Sequence, residues 1–195
     1  MRLKKLLFLV LLLASSFIFG LIFTNILKLN MFDKNSLGFQ YLFFTFLFSF
    51  VYFALRYLRS LDAYLIAIFL GLIYAYLINK TSLAYKFEAF WQIIIYAVML
   101  FVSLTAIFNF TWFYIKAIRN ITFSILSSFS YALVHVLVSI FLKIPITGRL
   151  LLAYFKNGFM LLLVISFAIS IAEIVYSGIL NFFTPPKLPV HLDEE

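Results

Sequence analysis

From its amino end the chain alternates long apolar runs with short polar breaks. A membrane span needs about 20 apolar residues to cross roughly 30 Å of hydrocarbon at about 1.5 Å per residue. Five charge-free runs meet or approach that length: residues 6–27, 35–55, 63–79, 89–115 and 120–142. A sixth, 157–184, is long enough and contains one charge, Glu173. The runs lack two-residue alternation and evenly spaced turn signals, which argues against a transmembrane β-barrel. The pattern predicts an all-α, polytopic integral membrane protein, a bundle of six transmembrane helices forming one domain over residues 1–184. Residues 185–195 follow as a short tail that starts with prolines and ends in His191, Asp193, Glu194 and Glu195.

Residues 143–156 separate the fifth and sixth runs. Pro145 keeps this stretch extended at first, Thr147 or Gly148 offers a helix cap, and Arg149 and Lys156 bracket six apolar residues. That composition predicts a short interfacial helix before the sixth span, with a break at Asn157-Gly158. The start of the chain, with Arg2, Lys4 and Lys5 ahead of an apolar run, has the look of a signal peptide. The run continues through Leu27 without an Ala-x-Ala site, so a retained anchor is expected.

Composition sharpens this reading. The residues are 66% hydrophobic and 11% charged, against about 25% charged in a soluble domain, so soluble enzyme classes drop out. The net charge of +8 comes from basic residues spaced singly or in pairs between apolar runs, which act as topology signals and form no nucleic-acid stripe. No cysteine is present, which excludes disulfides, thiolate metal sites and a lipid-modified amino-terminal Cys. Lys and Arg divide almost evenly between the two ends of the spans. The three basic residues before the first span therefore decide the orientation, a bacterial inner-membrane protein with both termini in the cytoplasm.

Polar residues inside four spans recur at i, i+4, i+7 and i+11, which places each set on one helix face. They are Thr45, Ser49, Tyr52 and Arg56; Thr105, Asn109, Trp112 and Lys116; Ser124, Ser128, Tyr131 and His135; and Ser166, Ser170, Glu173 and Ser177. The third span repeats Ala67, Gly71, Ala75 and Asn79, and the first carries Ser16 and Gly20. In lipid, helices associate through small-residue contacts and interhelical hydrogen bonds, so these faces are expected to point inward. Two roles fit them: adhesion between helices, or the lining of a solute cavity.

Glu173 is the sharpest residue, because an ionisable group in a span is costly and marks function by default. Depth arithmetic along the helices sets it level with Asn109. Its expected partners are the Asn109 face of the fourth helix or a snorkelling Arg56, and His135 is expected to lie apart. The candidate interaction residues are Glu173, Asn109, His135, Arg56, Ser128 and Ser170. His135 lacks a companion at metal-ligand spacing. Zinc-protease, nucleophile-elbow and phosphate-loop signatures are missing, so no enzyme activity, cofactor or metal is expected.

The layout of a basic start, a long first span, Gly71 in a short third span, a hairpin at 79–84 and the Asn157-Gly158 step resembles the MreD family of bacterial rod-shape-determining membrane proteins. Ala75 stands where that family often has an acidic residue. The resemblance implies a non-enzymatic scaffold of cell elongation and peptidoglycan synthesis. Its partners would be an MreC-like protein in the membrane, the wall-synthesis enzymes and the actin-like filament. A second class is the substrate-binding component of an energy-coupling-factor vitamin transporter, also a small six-helix membrane protein. That reading needs a solute pocket, for which the chain offers Gln40, Gln92, His135 and Asn25.

Overall fold

The computed structural model describes residues 2–26, 28, 37–81, 87–115 and 118–183. The acidic tail 185–195, part of the expected hairpin at 79–84, and Lys34, Lys86, Lys116 and Lys187 lie outside the described residues. The described residues form six helices: α1 (Arg2–Ile26), α2 (Leu37–Tyr57), α3 (Ser60–Thr81), α4 (Phe90–Tyr114), α5 (Arg119–Phe141) and α6 (Gly148–Phe183). No strand occurs among them. Each helix is long and apolar enough to cross a bilayer, as their charge-free runs require.

The ends of the helices follow from local chemistry. Asp62 lies in the first turn of α3, where a negative charge complements the helix dipole. Helix α4 starts on Ala89, which has no capping side chain. Gln92 reaches back instead, and its Oε1 accepts the backbone N–H groups of Glu88 (3.0 Å) and Ala89 (3.3 Å). Substituting Gln92→Ala is expected to cost about 1 kcal/mol and to speed amide hydrogen exchange at residues 88–92. Thr147, whose Oγ1 accepts the Leu150 N–H at 3.3 Å, caps α6. Ile118 opens α5 in the left-handed region at φ 53°, a conformation that costs a β-branched residue about 1–3 kcal/mol and that sets Arg119 at the head of the helix.

Helices adjacent in sequence pack side by side, and α6 returns against α1 to close a ring, with α2 also touching α6. A column of rings fills the centre. Phe44 and Phe48 of α2 meet Phe101 and Phe108 of α4, and Tyr52 stands against Phe108 (5.3 Å) and Trp112 (6.0 Å). Phe44, Phe48, Tyr52, Phe101 and Phe108 are fully buried. Ring contacts of this kind, edge-to-face in all but the tilted Phe44–Phe101 pair, contribute about 0.5–1.5 kcal/mol each beyond area burial.

The interfacial helix and its break at Asn157-Gly158 do not form as expected, since residues Gly148–Phe183 run as one helix of 36 residues. Packing explains the difference. A Cβ on Gly158 would meet Cγ of Tyr131 at 3.0 Å and its Cβ at 3.1 Å, so this glycine serves close approach of α6 to α5 and leaves the helix unbroken. Tyr154, inside the expected interfacial segment, instead faces Ser139 of α5 across 3.2 Å. Gly71 has a similar use, its vacant Cβ position lying 3.0 Å from the Ala97 carbonyl and the Phe101 ring of α4.

The expected inward faces are mostly buried: Thr45, Ser49, Thr105, Ser124, Ser128, Ser166 and Ser170 all lie inside, whereas Ser177 is exposed. Several of these hydroxyls bond to their own helix. Thr45 donates to the Tyr41 carbonyl, Thr105 to Phe101, Ser124 to Asn120 and Ser128 to Ile125. Fewer bonds cross between helices, among them Ser16 with Ser49, Ser15 to the Ala168 carbonyl (2.9 Å), Ser130 to Ser103 (2.9 Å) and Ser170 to Asn120 (3.0 Å). Small size, more than cross-helix bonding, is what these positions contribute to the packing.

Candidate functional site

The aromatic column ends on Glu173, near the end of the bundle that carries the start of α1. The carboxylate, on α6, gathers donors from three other helices. Arg56 Nη1 of α2 donates to Oε1 at 2.7 Å, and Arg119 Nη2 of α5 donates to Oε2 at 2.6 Å. The Tyr52 hydroxyl of α2 also donates to Oε1, and Trp112 Nε1 of α4 approaches it at 3.4 Å. Tyr52 in turn accepts from Arg56 Nη1 at 2.8 Å. The Glu173 side chain is 19% exposed, against 32% for Arg56 and 34% for Arg119, so the carboxylate sits inside and the guanidiniums close it from the rim.

Rings hold both guanidiniums in place. Arg56 lies over Phe8 of α1 at 4.6 Å, and Arg119 over Trp112 at 4.2 Å. Phe8 is itself packed on Tyr176 of α6 at 4.9 Å. Charge-assisted hydrogen bonds are about twice as strong as neutral ones, and a partly dry site strengthens them further. One acid thus fastens α2, α4, α5 and α6 at a common level. Tyr52→Phe removes the hydroxyl that bridges Arg56 and Glu173 while keeping the ring packed. Its expected cost is about 1 kcal/mol, read as a lowered thermal midpoint in detergent.

The expected partners fare differently. Arg56 is bonded to Glu173. The α4 face is engaged through Trp112, whereas no bond joins Asn109 to the carboxylate. Glu173 meets Trp112, three residues or about one turn further along α4 than the expected Asn109. From sequence alone Arg119 serves as a topology signal. Its signal was the column of α5 positions four apart, since Phe123 and Ser127 are buried and position 119 continues their line. Asn120 likewise continues the line of Ser124 and holds Ser170.

His135 lies far from this cluster, about 24 Å from Arg119 along α5 at about 1.5 Å per residue. It is buried among tyrosines, stacked on Tyr131 at 4.0 Å and close to Tyr154 at 5.0 Å, with its Nδ1 2.8 Å from the Tyr131 carbonyl. Tyr131 also lines a recess with Gln40, Tyr41, Tyr74 and Asn157, whose volume of about 30 Å³ suits a water or two. Gln92 is committed to capping α4, and Asn25 is exposed near the end of α1. Larger recesses open laterally, one of about 740 Å³ between Phe129, Leu133 and Val136 of α5 and Leu151, Leu152 and Phe155 of α6. Among the described residues no group of three or more His, Cys, Asp or Glu is placed to hold a metal ion.

No protein-family model, curated protein or solved structure matches this chain.

Proposed function

We propose that this chain is a multi-pass membrane protein that acts without catalysis, as a scaffold for a membrane partner. The observation that carries the reading is the contrast between its interior and its flank. The interior is filled by a column of rings that ends on Glu173, and its polar recess at Gln40 is far smaller than the roughly 300–1,000 Å³ of a solute pocket. The flank between α5 and α6 offers a wide apolar groove of the kind a partner's transmembrane helix fills. Transport of a vitamin-sized solute is disfavoured on the same ground, because Gln40, Gln92, His135 and Asn25 do not converge on a common space.

On the layout resemblance, the partner to test first is an MreC-like protein of the cell-elongation machinery, with the wall-synthesis enzymes beside it and the inner membrane as location. The test is affinity purification of the intact chain in mild detergent, with a Leu133→Trp variant that fills the groove. Recovery of an MreC-like protein or wall-synthesis enzymes, lost in the variant, supports the reading. Recovery of an ATPase-coupled transporter subunit contradicts it.

A further inference from the structure

Glu173 is outnumbered. Two guanidiniums share its one carboxylate, and Lys5 stands beside them, its Nζ 5.3 Å from the centre of the Tyr57 ring that Arg56 also approaches at 5.9 Å. Among side chains described at this end, Lys4, Lys5, Arg56, Arg59 and Arg119 face only two acids, Asp62 and Glu173. A guanidinium carries five N–H donors, and the bonds to Glu173 and Tyr52 occupy one terminal nitrogen on each arginine, with Tyr57 a further hydrogen-bond partner of Arg56. The remaining donors belong to side chains about one-third exposed, 32% for Arg56 and 34% for Arg119. Phe8 and Trp112 fix the two guanidinium planes, so the outer, solvent-facing edges are oriented before anything binds. The head of α5, where Arg119 sits, adds the positive end of its dipole.

We propose that this edge binds the phosphate of an anionic phospholipid headgroup, with Arg56, Arg119 and Lys5 as the recognising cations and Glu173 as the residue that holds the two arginines together. The surroundings favour a lipid over a soluble phosphate. Ile118 and Ile121 flank Arg119, Ile174 follows Glu173 and Leu6 follows Lys5, all exposed and apolar, where acyl chains would lie. Cations at the ends of apolar helices stand at headgroup level, and basic pockets between such helices take anionic headgroups. The inference rests on the membrane reading and is independent of which protein partner the flank receives.

The experiment uses the full chain in a neutral maltoside detergent, titrated with phosphatidylglycerol, with phosphatidylcholine of the same acyl chains, and with inorganic phosphate. Native mass spectrometry reads bound lipid, and the thermal midpoint reads stabilisation. Phosphatidylglycerol is expected to bind about 100-fold more tightly than phosphatidylcholine, at about fivefold for each engaged cation. Lys5→Gln, which leaves both arginine–Glu173 pairs intact, should keep its midpoint without lipid and lose about fivefold of that preference. The triple variant R56Q/R119Q/E173Q, which removes the arginines without stranding the acid, should lose the remainder. Equal binding of the two lipids by the unaltered chain, or full preference retained in both variants, overturns the proposal. Stabilisation by inorganic phosphate equal to that by phosphatidylglycerol overturns the lipid as the source.

Discussion

Replacing Glu173 with leucine is expected to destabilise the bundle more than replacing either arginine. The substitution leaves Arg56 and Arg119 facing each other with no acid between them, and strips Tyr52 and Trp112 of their acceptor. Stranding a buried charge costs about 3–5 kcal/mol. Here the arginines are one-third exposed, so solvent screening reduces the figure to about 2–3 kcal/mol. For a chain of this size that corresponds to a fall of about 5–10 °C in thermal midpoint. Arg56→Leu or Arg119→Leu alone leaves Glu173 one guanidinium, and about 1 kcal/mol is the expected loss. The triple replacement E173L/R56L/R119L should recover part of what the single Glu173 change loses, because an apolar cluster avoids the stranded charges. Losses that simply add across the three positions would contradict a shared ionic centre.

The second large effect is expected at Gly71. Its missing Cβ leaves room for the Ala97 carbonyl and the Phe101 ring, both at 3.0 Å from the built position. A backbone oxygen cannot swing aside, so Gly71→Ala should lose about 1 kcal/mol despite the gain in helix propensity, and Gly71→Leu about 3 kcal/mol. Gly20 provides the contrast. There the close atom is Cδ1 of Leu42, the far end of a flexible side chain, and Gly20→Ala should be neutral within about 0.5 kcal/mol. Midpoints of the three variants in one detergent check the ranking, and equal effects at Gly20 and Gly71 would refute the close α3–α4 approach.

Much of this fold was legible in the sequence, because charge-free runs and a spacing of i, i+4, i+7 report directly on length and face. The stretches 63–79 and 89–115 lie within about three residues of α3 and α4, and Tyr52 and Arg56 stand on the inward face that their spacing implies. Helix continuity across Asn157-Gly158 was not legible. A glycine reads the same whether it ends a helix or admits a neighbour, and only Tyr131, a residue 27 positions away, decides between them. Arg119 escaped for a related reason: a basic residue at the head of a span serves topology by default, and its partner comes from a different helix. The Gln40 recess was equally out of reach, since Tyr41, Tyr74, Tyr131 and Asn157 meet there only through packing.

Six helices are long and apolar enough to cross a bilayer, and site-directed labelling tests the proposed crossings most directly. The chain contains no cysteine, so single cysteines at Lys4 and Arg59 report one end of the bundle and one at Ile146 reports the other. In sealed spheroplasts a membrane-impermeant maleimide should label the Ile146 position and spare Lys4 and Arg59, with all three labelled after permeabilisation. Equal labelling of all three positions before permeabilisation would contradict a chain threaded six times through the membrane.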